Sequence, residues 1–148
     1  MDTLLSDAAD GAKRLLAARI LIADDTTSSR ELLRIILEDA GHEVVEAEDG
    51  QEVIEKASSF APDLVILDLQ MPKLDGWGTA EALRKIPGLK ETPILALTAA
   101  WSELMPKRLV EAGFTGYLVK PIAPARLREC VASLLPSFGV GLSTASSS

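Results

Sequence analysis

Short apolar runs alternate along the chain with longer segments whose apolar positions fall three and four residues apart. The runs are Ile20–Ala23, Val44–Val45, Leu64–Leu67, Ile94–Leu97 and Tyr117–Val119. Three of them are nearly continuous in Ile, Leu and Val, the pattern of parallel strands buried on both faces. Leu32, Leu33, Ile36, Leu37 and Ala40 predict a first helix. A capping-box pattern, Ser28 with Glu31, marks its start and Gly41 its stop. Val53, Ile54, Ala57 and Phe60 predict a second, closed by Pro62. Ala80, Leu83 and Ile86 predict a third, closed by Pro87 and Gly88. The fourth carries Leu104, Arg108, Leu109 and Ala112 before Gly113. Pro106 lies inside it and is tolerated only in a first turn, so a short or late-starting helix is expected. Leu127, Cys130, Val131 and Leu134 predict a fifth, stopped by Pro136. Five repeats of strand then helix imply an α/β fold, a doubly wound parallel sheet with helices on both faces.

At 148 residues the chain fits one domain with a buried core. Apolar residues make up 47% and aromatics only 4%, so the core must be aliphatic. The repeats place that domain at residues 18–136. Residues 1–17 form an extension with Leu4, Ala8, Ala12 and Leu15 on one possible helical face. Its apolar side is largely Ala, which favours a packing or homodimer helix over a membrane one. Residues 137–148 are Gly- and Ser-rich and read as a flexible tail.

The net charge of -7 leaves no basic stripe for nucleic acid. No run approaches the roughly 20 apolar residues of a membrane helix, and the acidic N-terminus has no signal-peptide pattern. A cytoplasmic protein is the expectation. The single cysteine, Cys130, excludes an internal disulfide and is read as a packing residue among Leu127, Val131 and Leu134. His42, in Gly41-His42-Glu43, is read as a surface turn residue.

In such a sheet, ligands bind beyond the carboxyl ends of the strands. Asp24 and Asp25 follow the first strand, Asp68 the third, Thr98 the fourth, and Lys120 with Pro121 the fifth. Clustered carboxylates repel one another unless a cation sits among them. An all-oxygen site with open positions suits Mg²⁺, which shares its shell with phosphate. A carboxylate can also be the nucleophile in phosphoryl transfer, and the group in transit needs Mg²⁺, a lysine charge and a hydroxyl around its oxygens. Asp68, Asp25, Lys120 and Thr98 meet those needs one for one. Taken singly, each has a plainer reading. The acid pair could merely complement a helix dipole, Lys120 could be a solvated lysine and Tyr117 a core residue.

Four stretches carry a resemblance: Ile22-Ala23-Asp24-Asp25; Leu67-Asp68-Leu69-Gln70-Met71-Pro72 with Asp75-Gly76; Leu97-Thr98-Ala99; and Tyr117-Leu118-Val119-Lys120-Pro121. In this order, each at the end of a predicted strand, they resemble the receiver domain of two-component response regulators over about residues 18–136. The resemblance implies a flavodoxin-like sheet with strand order 2-1-3-4-5. It implies that Asp68 takes a phosphoryl group from a histidine kinase or histidine phosphotransfer protein and then switches binding to a downstream protein target. Mg²⁺ would be held by Asp25 directly, by Asp24 through water, by Asp68, and by the backbone carbonyl of Gln70. Thr98 and Lys120 would contact phosphoryl oxygens, Lys120–Pro121 would be a cis peptide, and Tyr117 would turn inward as Thr98 moves. Such a chain is a signalling receiver that catalyses its own phosphorylation and dephosphorylation, and is not otherwise an enzyme.

Gln70 and Ala100 lie where the family varies. Ala100 offers no polar side chain to orient a water, which predicts slow loss of the phosphoryl group. Trp101 reads equally as a contact beside the pocket or as a cover for its loop. Two alternatives stand beside the receiver: a scaffold that no longer uses phosphate, which should have lost one of these groups, and an FMN protein of the same layout. The dozen residues after Pro136 are too few for a DNA-binding module. A stand-alone regulator and a piece of a longer chain both fit.

Overall fold

The computed structural model describes residues 17–71 and 73–135. Five strands and five helices alternate in it: β1 Arg19–Ala23, α1 Thr27–Asp39, β2 Glu43–Ala47, α2 Gly50–Phe60, β3 Leu64–Asp68, α3 Gly76–Arg84, β4 Ile94–Thr98, α4 Met105–Ala112, β5 Gly116–Val119 and α5 Pro124–Leu134. All strands pair in parallel, in the order β2-β1-β3-β4-β5. The expected sheet is therefore present. The extension before residue 17, Pro72, Pro136 and the tail lie outside the described residues.

Alternation along the three central strands divides the core. Ile20 and Ile22, Leu64 and Ile66, and Leu95 and Leu97 join one cluster with Leu33, Ile36 and Leu37 of α1 and Leu127 and Val131 of α5. Leu21 and Ala23, Val65 and Leu67, and Ile94 and Ala96 join the other with residues of α2, α3 and α4. Successive residues of a strand point to opposite faces, so a continuous apolar run serves both layers. β3 is buried at all five positions, Asp68 included. The outer strands β2 and β5 are less covered.

Helix ends follow the expected punctuation in most places. Gly41, Gly88 and Gly113 take positive φ at 99°, 92° and 98°. α4 is a two-turn helix with Pro106 in its first turn. The capping-box expectation at Ser28 and Glu31 is corrected. α1 starts at Thr27 with Thr26 as N-cap and no side-chain cap bond. Thr26 N–H instead donates to Asp24 Oδ1 at 2.9 Å, a turn that starts the helix earlier and moves Ser28 inside it. α3 stops at Arg84, so Ile86 lies past the helix, although it still packs against the core.

His42 is also more than a surface turn residue. It is half-buried, and its Nδ1 accepts the Ala18 N–H at 3.0 Å, tying the turn before β2 to the start of β1. Burial lowers its pKa from the ordinary 6.5. Cys130 packs partly against the α1–α5 cluster, and burial pushes its thiol pKa up.

Candidate functional site

The order of strands reverses at β1 and β3, since β1 leads outward to β2 on one side and pairs with β3 on the other. Loops diverging there leave a crevice at the carboxyl edge. Asp24 and Asp25 leave β1 on one side of it and Asp68 ends β3 on the other. One oxygen from each of the three carboxylates lies within 4.8 Å of the others. Asp24 is fully buried and Asp68 nearly so, whereas Asp25 is exposed.

Lys120, just past β5, reaches across this edge. Its Nζ donates to Asp68 Oδ2 at 2.8 Å and to Asp24 Oδ2 at 3.1 Å. Burial pulls the ammonium pKa down, but hydrogen bonds and charge from Asp68 and Asp24 outweigh it and hold the value above normal. The remaining oxygens are also partnered. Asp24 Oδ1 accepts from Thr26 N–H and Asp68 Oδ1 from Gln70 N–H, both at 2.9 Å. The Lys120–Pro121 peptide is cis.

α3 supports Asp68 from below. Asp75 caps it by accepting the Gly78 N–H at 2.9 Å. Gly76 presses on the strand end so closely that a Cβ there would lie 2.5 Å from the Asp68 carbonyl oxygen and 2.7 Å from Leu69 Cα. Only glycine permits that approach.

Two expected participants are oriented elsewhere. Thr98, buried at the end of β4, turns its hydroxyl onto its own loop, donating to the Ala100 carbonyl at 2.7 Å and accepting its N–H at 3.1 Å. Tyr117 faces outward, 38% exposed, and stacks on Trp101 with ring centroids 5.0 Å apart and planes at 26°. Trp101 thus stacks on the tyrosine, a contact that neither reading from sequence named.

The arrangement matches one family over most of the chain. The model of the response regulator receiver domain matches residues 20–132. The chain belongs to the response-regulator receiver family. Its fold resembles the chemotaxis response regulator CheY4 of Vibrio cholerae, with a TM-score of 0.78, 37% identity and coverage of 80% of this chain and 99% of that one. It is 38% identical over 117 residues to the alkaline phosphatase synthesis transcriptional regulatory protein PhoP of Bacillus subtilis, covering 79% of this chain and 48% of PhoP. It is 31% identical over 125 residues to the histidine-protein kinase BarA of Escherichia coli, covering 84% of this chain and 14% of BarA. The receiver thus spans less than half of these curated relatives. Among its described residues, no helix is long and apolar enough to cross a membrane.

Receivers of this family act in two-component phosphorelays, pair with histidine kinases and downstream effectors, and bind Mg²⁺ in an acidic cluster. The three carboxylates here suit such an ion, being an all-oxygen donor set with one member open to solvent.

One residue near the receiver's acids escaped the sequence reading. Arg30 is buried, donating Nη1 to the Asp24 carbonyl at 2.8 Å and Nε to Glu46 Oε1 at 3.1 Å. Its signal was position: Arg30, Leu33 and Leu37 share the buried face of α1.

Proposed function

We propose that Asp68 accepts a phosphoryl group from a phosphohistidine of a histidine kinase or phosphotransfer protein, and that the receiver then switches its binding to a downstream protein. The observation that carries this reading is the bridge of Lys120 between Asp68 and Asp24, beside an exposed third carboxylate, Asp25. In the proposed step a carboxylate oxygen of Asp68 attacks phosphorus. A P–O bond forms as the P–N bond breaks, and the leaving imidazole keeps the electron pair and takes up a proton. Lys120 neutralises a phosphoryl oxygen, and the Thr98 hydroxyl turns from Ala100 to bond another.

Asp24, Asp25, Asp68 and the Gln70 carbonyl would hold Mg²⁺, which supplies positive charge against the repulsion of the carboxylates and the charge of the group in transit. A solved receiver domain of sensor histidine kinase PA1611 from Pseudomonas aeruginosa, 25% identical, is described with magnesium coordinated in its active-site cleft. That supports the same ion here. A cytoplasmic site of action belongs to the same proposal.

The phosphate-independent scaffold predicts a lost acid, hydroxyl or lysine, and none is lost. The FMN alternative would set a phosphate after β1 against the adjacent Asp24 and Asp25, which would repel it. The test is labelling with a small phosphodonor and Mg²⁺. The wild-type chain gains one phosphoryl group with the lability of an acyl phosphate, and Asp68→Asn gains none. Equal labelling of Asp68→Asn removes Asp68 as acceptor.

A further inference from the structure

We propose that Arg30 is a positioning residue for the divalent-cation site, setting the direction of the Asp25 carboxylate through the backbone of Asp24. The proposal rests on the reading of Asp24, Asp25 and Asp68 as that site.

Asp24 and Asp25 are held very differently. The Asp24 side chain is buried and bonded at both oxygens, by Thr26 N–H and by Lys120. Among the described residues the exposed Asp25 carboxylate has one hydrogen-bonding neighbour, the Thr26 hydroxyl at 3.5 Å, the outer limit of a hydrogen bond. Side-chain contacts therefore do little to aim Asp25, and its backbone must do so. That backbone lies between the end of β1 at Ala23 and the start of α1 at Thr27, outside both strand and helix.

Arg30 reaches this stretch from the buried face of α1. Its Nη1 donates to the Asp24 carbonyl, which belongs to the peptide joining Asp24 to Asp25. A peptide is planar, so holding its oxygen also fixes the amide and Cα of Asp25. The guanidinium is itself held on its other side by Glu46 of β2, which also pairs with Arg34. A rigid planar fork between two fixed acceptors transmits position well, and a flexible ammonium does not.

Cation choice separates positioning from charge. Mg²⁺ demands near-ideal octahedral geometry with short bonds, whereas Ca²⁺ accepts longer bonds and variable ligand numbers. Loosening Asp25 should therefore weaken Mg²⁺ more than Ca²⁺. Loss of a positive charge, or of general stability, acts on the two dications alike.

The test is calorimetric titration of Mg²⁺ and of Ca²⁺ into the full chain, at a temperature where each variant is folded by circular dichroism. Arg30→Met keeps the apolar stem and removes the donors. It should weaken Mg²⁺ binding roughly tenfold or more, as loss of a partner behind a metal ligand does, and weaken Ca²⁺ distinctly less. Arg128→Met removes the same charge from an exposed position of α5, leaving Arg30, Glu46 and Asp24 in place, and should keep the wild-type ratio of the two affinities. Arg30→Lys keeps the charge without the fork and should lose discrimination in the same direction, which preserves the test if Arg30→Met does not fold. Equal weakening of both cations in the Arg30 variants, unchanged binding, or full recovery by Arg30→Lys overturns the proposal. Wild-type chain that binds neither cation, or Asp25→Asn that binds Mg²⁺ as wild type does, overturns the site reading itself and the proposal with it.

Discussion

The carboxyl edge of the sheet has two halves, and they hold their polar groups in opposite ways. Around β1 and β3 every carboxylate oxygen of Asp24 and Asp68 has a donor, and the donors are backbone amides or the half-buried Lys120 ammonium. Around β4 and β5 the Thr98 hydroxyl closes onto its own loop, and Leu104 starts α4 without a side-chain cap. Trp101, Leu104, Tyr117 and Val119 are all exposed there. α4 is held through Met105 and Leu109 in the core and through polar contacts at its far end. Arg84 donates to the Gly113, Leu89 and Thr92 carbonyls, and Phe114 packs edge-on against Trp77. Chemistry needs groups already in place before the reaction, and switching needs a segment with few contacts to lose. Under the function proposed above, each half would carry one of these tasks.

The firm half breaks most severely at Gly76. Gly76→Ala places a Cβ against the backbone of Asp68 and Leu69, where no side chain can give way. The expected cost is about 1–3 kcal/mol, read as a lower urea midpoint, together with slower labelling of Asp68 because its strand end is displaced. Full stability in this variant would show that α3 can move off the strand freely.

Thr98→Ala tests whether the halves communicate through the hydroxyl. The variant should accept phosphate, since Asp68 and Lys120 are untouched, while NMR shifts of residues 100–120 respond less to a beryllofluoride mimic. The couplings involved in such switches are typically about 1–3 kcal/mol, enough to make this loss visible. A full response in Thr98→Ala would locate the link elsewhere.

Trp101→Ala sharpens the description of the loose half. Stacked aromatic pairs contribute about 0.5–1.5 kcal/mol beyond area, so removing Trp101 should shift the Tyr117 ring between positions without unfolding the chain. Tyr117 is the only tyrosine of the chain, so fluorotyrosine gives one ¹⁹F signal to follow. An unchanged signal would mean the ring holds its place unaided.

The smallest effect concerns His42, remote from both halves. Burial lowers its folded pKa, so below 6.5 the unfolded chain binds the proton first. Stability contributed by the neutral ring is present above 6.5 and falls away as pH drops toward the lowered folded value. Protonation also removes the acceptor for Ala18 N–H. His42→Gln should flatten the dependence of urea midpoint on pH in this range.

Sequence alone determined the elements, their order and the acids, hydroxyl and lysine at the strand ends. Those are local facts, because a strand's apolar run and the residue that follows it lie within a few positions of one another. It also carried the turn glycines and the short α4, through Pro106 and the glycines' freedom at positive φ. The capping box failed because Ser28 and Glu31 had the right spacing, while a turn two residues earlier, closed by Asp24 on Thr26, had already started the helix. Only the tertiary structure decided that Lys120 spans 96 residues to reach Asp24, that Arg30 turns inward to the Asp24 carbonyl, and that Tyr117 lies on Trp101. The direction of a long polar or aromatic side chain depends on which neighbours the folded sheet brings within a few ångströms, and spacing along the chain does not encode that.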